Sequence, residues 1–124
     1  SYAMASVAEA VRACDGEVWV IAPSWKAVDV IRNDTATAEA MARAVTGFLN
    51  QVHKGEIALG PQTVVIADEA GMIGTRDLAA LVEATGAAGA KLVLSGDTRQ
   101  LVPVPAGAPM RLLVRALALM SRRE

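Results

Sequence analysis

Asp68 and Glu69 stand side by side where the apolar run Val64-Val65-Ile66-Ala67 ends, and Gly71 follows two residues later. Adjacent carboxylates suit two tasks. One supplies an oxygen to a hard divalent cation. The other orients or deprotonates a water. The same residues also read as a plain polar turn that closes a strand. Two further apolar runs end in comparable signals. Val18 to Ala22 leads into Pro23-Ser24-Trp25-Lys26-Ala27, and Lys91 to Ser95 leads into Gly96-Asp97-Thr98-Arg99-Gln100-Leu101. Asp97 after Gly96 is, taken alone, ordinary turn chemistry.

These residues act together only if the chain brings them to one place. An apolar run ending in charge is the pattern of a buried parallel strand that delivers its polar end to the carboxyl edge of a sheet. Open α/β sheets bind ligands at that edge. In nucleotide hydrolases an Asp placed there holds Mg²⁺ and a carboxylate beside it works on water. Three runs of this kind predict three strands, 18–22, 64–67 and 91–95.

Helical periodicity fills the intervals. Met4, Val7, Ala8, Val11 and Cys14 share one face of a helix over 2–14 that Gly16 ends. Ser24 is placed to cap a short helix through about Ile31, and Asn33-Asp34-Thr35 is a turn. Met41, Val45, Phe48, Leu49 and Val52 mark a helix capped by Thr35 or Thr37, followed by a loop over 54–61. Thr75 is placed to cap a helix with Leu78, Leu81 and Val82 inward, and Gly86 and Gly89 bracket a tight return. The last helix, Pro109 to Ser121, turns Met110, Leu113, Val114, Leu117 and Met120 inward and Arg111, Arg115 and Arg122 to solvent. The order α-β-α-α-β-α-β-α predicts right-handed crossovers and a three-layer parallel sheet with helices on both faces. Three strands make a narrow sheet for this class.

Composition narrows the function classes. A length of 124 residues allows one compact unit. With 53% hydrophobic residues and 3% aromatic ones, the core is aliphatic. A net charge of −1 provides no general basic field for nucleic acid. The single Cys14 has no internal disulfide partner, which fits a cytoplasmic protein. No apolar run approaches the roughly 20 residues that span a bilayer, and no signal-peptide pattern opens the chain. The lone His53 reads as a surface helix residue, and no Cys/His ligand cluster exists.

The three strand ends resemble the first motor domain of a superfamily 1 DNA helicase of the RecD-like branch, closest to the helicase region of TraA-type conjugative relaxases. The motifs are Asp68-Glu69-Ala70-Gly71-Met72, then Gly74-Thr75-Arg76, then Gly96 to Leu101 as GDxxQL, then Pro105-Ala106-Gly107-Ala108. They cover nearly the whole chain. The DEAGM and GDxxQL pair at this spacing is the specific part. The resemblance implies a RecA-like P-loop NTPase fold, with ATP and Mg²⁺ used by the intact parent protein. Asp68 would hold Mg²⁺, usually through water. Glu69 would be the general base for the attacking water, a role worth roughly 10²–10⁴-fold in rate. Gln100 would sense the terminal phosphate, with Asp97 supporting its loop. Ser24, Trp25 and Lys26 match the segment that meets single-stranded DNA, where a base stacked on Trp25 would contribute about 1–3 kcal/mol. Trp25 as a packing residue and Lys26 as a solvated one are the other readings.

One family feature is missing. The phosphate loop GxxGxGK[ST], whose backbone amides cradle phosphates and whose hydroxyl binds Mg²⁺, does not occur in the chain. Ser1 sits where the last residue of that loop would stand and so becomes a candidate for Mg²⁺ and nucleotide binding; a vector-derived Ser is the other reading. The expectation is one truncated motor domain over 1–124, lacking the first strand and the phosphate loop. The piece itself is expected to bind no cofactor and to hydrolyse no ATP appreciably. The family's phosphate-loop strand lies beside the strand ending in GDxxQL. Its loss predicts an open apolar edge at Lys91–Ser95, closed by a second copy or by a displaced terminus. Two rival readings stand. One is a degenerate nucleotide-hydrolase fold that only binds a partner protein. The other is an unrelated hydrolase using Asp68 and Glu69 directly, for which no nucleophile with a nearby base is visible.

Overall fold

The computed structural model describes residues 16–24, 41–96, 101–105 and 107–121. At the centre of a five-stranded sheet lie β1 (Glu17–Ala22) and β3 (Thr63–Ala67), and nearly every side chain in both is buried. Val, Ile and Trp dominate them, residues whose branched or broad side chains pack well on a pleated surface covered on both sides. With β2 at Met41–Ala44, β4 at Lys91–Ser95 and β5 at Leu101–Val104, the strand order is β2-β1-β3-β4-β5. The pairs β1–β2, β1–β3 and β3–β4 are parallel. The three predicted strands are therefore present, adjacent and parallel.

Two strands were not expected. β2 is Met41–Ala44, in a stretch predicted as the start of a helix; that helix, α1, instead begins at Val45 and ends at His53. Ala is the best helix former and Met41, Val45, Phe48 fit helical spacing, so local preference points the wrong way. Tertiary pairing overrides it. Ala42 and Ala44 are buried on one face of the sheet. On the other face the Arg43 guanidinium lies 5.3 Å from the centre of the Trp19 ring and its Nε donates to Gln51 Oε1 of α1 at 3.2 Å. Arg43 thus ties β2 to both β1 and α1.

The second addition is β5, Leu101–Val104, which pairs antiparallel with β4. It corrects the expectation of an open edge at Lys91–Ser95, because a nearby segment of the same chain covers it, neither a second copy nor a terminus. Pro103 lies within this strand. An edge strand tolerates Pro because one side of it has no ladder to feed.

Side chains alternate between two faces. Trp19, Ile21, Val65, Ala67, Leu92 and Leu94 form one core with Val45 and Phe48 of α1, Leu78 and Leu81 of α2 (Thr75–Ala88) and Leu113 of α3 (Met110–Ser121). Trp19 and Phe48 meet as tilted rings, 5.5 Å between centres. Leu49, Val52 and Val82 pack at its margin as expected. The other face holds Val18, Val20, Ala22, Ala42, Ala44, Val64 and Ile66. The helix predicted over 2–14, the turn at 33–35 and, beyond Ser24, the short helix through about Ile31 lie outside the described residues. Two details differ from expectation. Thr75 is the first residue of α2 and Gly74 its cap, with no side-chain cap bond. Val114 is 47% exposed, because Leu113 is the side chain that α3 inserts. Gly89 closes α2 with φ +73°, and Ala90 N–H returns to the Thr85 carbonyl at 2.9 Å. That left-handed closure is where glycine is needed.

Candidate functional site

All four parallel strands end at one edge of the sheet, so their terminal residues form a row. Ala22 pairs with Ala44, Ile21 with Ala67, Ala67 with Leu94, and Ser95 with Leu101. The row is thus Ala44, Ala22, Asp68, Ser95, Leu101. The Asp68 N–H donates to the Ile21 carbonyl at 2.7 Å. The ladder therefore runs one residue past β3, and Asp68 keeps the strand's alternation. It stands half-buried at the end of a fully buried strand.

Glu69 is exposed and takes the left-handed conformation, φ 48° and ψ 49°. It is the single non-glycine residue with positive φ among the described residues. For an L-residue with Cβ this costs about 1–2 kcal/mol. Its neighbours impose it. Ala70 and Ile73 are buried in the core under α2 and α3, and a one-turn 3₁₀ helix, Ala70–Met72, joins them. The Met72 N–H donates to the Glu69 carbonyl at 2.8 Å, and Ile73 N–H to Ala70 at 3.1 Å. The chain must turn between a buried strand and a buried Ala, and Glu69 absorbs the turn. The result is a half-buried carboxylate beside one that is open to water. Met72, three residues on, is 72% exposed at the same place.

The other expected site residues are distributed unequally. Ser24 is exposed, two residues beyond β1. Ser1, Trp25, Lys26, Asp97 and Gln100 lie outside the described residues. The segment that holds Asp97 and Gln100 is bracketed by Ser95 and Leu101, which are paired with each other. His53 is exposed at the end of α1.

Among the described residues no group of three or more His, Cys, Asp or Glu could hold a metal by itself. One carboxylate at an edge fits Mg²⁺ all the same, since that ion keeps most of its waters and takes its other ligands from substrate phosphates. Asp68 suits such a shared site rather than a resident metal centre. None of the described helices is long and apolar enough to cross a membrane.

Sequence reasoning did not bring Ser95 beside Asp68. It is 1% exposed and stands beside Asp68 in the row. The signal was available: Asp68 follows Ile66, and Ser95 follows Val93, by two residues. What was lacking was the register that makes them neighbours.

The chain matches the AAA domain family over residues 1–121. It is 40% identical over 73 residues to the conjugal transfer protein TraA of Agrobacterium fabrum, a stretch covering 59% of this chain and 7% of that protein. The multifunctional conjugation protein TraI of Escherichia coli is 32% identical over 92 residues, 74% of this chain and 5% of TraI. The ATP-dependent RecD2 DNA helicase of Deinococcus radiodurans is 30% identical over 112 residues, 90% of this chain and 16% of the helicase. The matched stretch is therefore a small part of each relative. No solved structure matches the chain. Five strands, mostly parallel, with the acidic pair at their carboxyl edge agree with the RecA-like P-loop NTPase fold. The chain belongs to the AAA domain family, as a helicase-like domain homologous to TraA and TraI conjugation proteins and to the RecD2 helicase.

Proposed function

We propose that this chain is the first motor domain of a RecD-like helicase of the kind found in conjugative relaxases. Its protein would couple ATP hydrolysis to movement on single-stranded DNA during plasmid transfer, in the bacterial cytoplasm. The observation that carries the reading is the half-buried Asp68 with exposed Glu69 beside it, delivered by a central strand to the carboxyl edge. In this reading Asp68 holds Mg²⁺ through water. The bound ion would neutralise charge on the nucleotide phosphates. Glu69, open to solvent, takes the proton from the attacking water. Gln100 senses the terminal phosphate, Asp97 supports its loop, and Ser1 contributes to the Mg²⁺ and nucleotide site. Ser24, Trp25 and Lys26 meet the DNA. The roles of Ser1, Trp25, Lys26, Asp97 and Gln100 rest on the resemblance alone.

The 124 residues carry no phosphate-loop sequence. We assign them as one domain lacking its first strand and that loop, with little nucleotide affinity of its own. The alternative is a degenerate module that only binds a partner protein. Self-association through Lys91–Ser95 would first have to displace β5.

Calorimetry with Mg²⁺-ATP separates the readings. It would be run on this chain and on the full-length gene product. Binding by the full-length protein, lost in Asp68→Ala, is the expected result. Absence of binding by the full-length protein would overturn the motor-domain reading in favour of the degenerate module.

A further inference from the structure

We infer that Ala70 is a positioning residue for Glu69: its buried methyl group seats the turn that holds the Glu69 backbone, independently of the strand that holds Asp68. The inference rests on the motor-domain reading above and adds a residue to it.

The two carboxylates are adjacent in sequence but anchored differently. Asp68 is held by the sheet. β3 has a strand on either side, and the Asp68 N–H extends the ladder to the Ile21 carbonyl at 2.7 Å. Glu69 has left the ladder. Its carbonyl accepts from the Met72 N–H at 2.8 Å, so its backbone belongs to the 3₁₀ turn Ala70–Met72. Ala70, 0% exposed, and Ile73, 3% exposed, fix that turn to the interior. The Ile73 N–H donates to the Ala70 carbonyl at 3.1 Å and ties the two anchors together. Both belong to the core that includes Leu78 of α2 and Leu113 of α3, and α3 packs against the turn. On the outer side Glu69, Gly71 and Met72 are exposed. The turn is therefore seated on the core from below and open to water above.

This arrangement makes the size of residue 70 decide where Glu69 stands. One residue separates Asp68 from Ala70, so Glu69 must absorb any displacement of Ala70. Extra methyl groups on a side chain with no exposed surface force the surroundings to shift. The central strand is paired on both sides and cannot give, whereas the turn has only water above it. A Val at position 70 should lift the turn and carry Glu69 outward while Asp68 keeps its place. Removing the methyl acts through freedom instead. Ala70→Gly takes away the seat and loosens the backbone next to the left-handed Glu69. A misplacement of about 1 Å in a reacting group costs about 100-fold in rate. Position 70 thus separates water activation from ion binding, although the two carboxylates are neighbours.

The test makes Ala70→Val and Ala70→Gly in the full-length gene product, each with Glu69 present and each combined with Glu69→Gln. Two quantities are read. One is the single-turnover rate of Mg²⁺-ATP hydrolysis at saturating nucleotide. The other is Mn²⁺ affinity in the presence of a non-hydrolysable ATP analogue, followed by electron paramagnetic resonance. Thermal melting of each variant reports folding, and Ala70→Gly alone decides the matter where Val does not fold. With Glu69 present, hydrolysis is expected to slow by about 10–100-fold at unchanged Mn²⁺ affinity. Combined with Glu69→Gln, the same substitutions should slow it no further. A merely structural role would slow both backgrounds alike. Unchanged hydrolysis in the folded variants, equal slowing in both backgrounds, or loss of Mn²⁺ affinity in step with the rate would overturn the inference. If Glu69→Gln by itself hydrolyses ATP at the parent's rate, the reading of Glu69 as the base falls with it. If Glu69→Gln slows hydrolysis and the Ala70 variants do not, only the role of Ala70 falls.

Discussion

The inner strands β1 and β3 and the outer strands β2 and β5 belong to one sheet but owe their conformation to different causes. β1 and β3 are runs of Val, Ile and Trp, buried on both faces and paired on both sides. Their own composition makes them strands. β2 is Met-Ala-Arg-Ala and β5 is Leu-Val-Pro-Val, and each has one neighbour. They are strands because an adjacent strand offers a ladder and a face to pack on. The difference teaches where local sequence is sufficient: at the middle of the sheet, where every position asks for the same kind of side chain, and not at its margins.

Core truncation should sharpen that contrast most. Ile66→Ala in β3 is expected to cost about 2–5 kcal/mol in urea-induced unfolding, because a fully buried side chain leaves a cavity among packed neighbours. Val102→Ala in β5, half-exposed at the margin, should cost about 1 kcal/mol or less, since little apolar area returns to water. Equal losses at the two sites would break the comparison.

The turn that ends β3 offers a smaller effect of opposite sign. Glu69→Gly relieves the left-handed conformation, and the protein should become more stable by about 1 kcal/mol, read as a rise in melting temperature. Gly has more freedom to lose on folding, which limits the gain. A fall in melting temperature would mean that the Glu69 side chain makes a stabilising contact. On the functional reading, the same variant of the full-length protein should lose ATP hydrolysis.

The smallest expected effect concerns the outer edge. Pro103→Val restores a backbone N–H to β5 and lengthens its regular β surface. Folding stability should change by about 0.5 kcal/mol or less. Sedimentation velocity should show more self-association than in the parent protein. No change in association would mean that the β5 edge is protected by something other than the proline.

Legibility followed the same division at the site. The acidic pair, its delivery by a buried strand and the common edge of three strands were readable, because period-two burial and a charged end survive in local sequence. The register was not, so Ser95 was not brought beside Asp68. Alternation along β3 and β4 gives each residue a face, but only pairing of Ala67 with Leu94 makes Ser95 the neighbour of Asp68. The conformation of Glu69 was hidden for a related reason. Nothing in the residue favours a left-handed backbone; the burial of Ala67 before it and of Ala70 after it does.

By itself, then, the sequence determined the inner strands, the amphipathic faces of α1 and α2, and the two motifs that mark the helicase-like domain. These depend on what each segment must bury. Tertiary structure alone decided that Met41–Ala44 and Leu101–Val104 are strands, that the edge of β4 is closed by its own chain, and that Asp68, Ser95 and Leu101 share one row. Those outcomes depend on which segments meet, and a ladder of hydrogen bonds between two segments is a property of neither one alone.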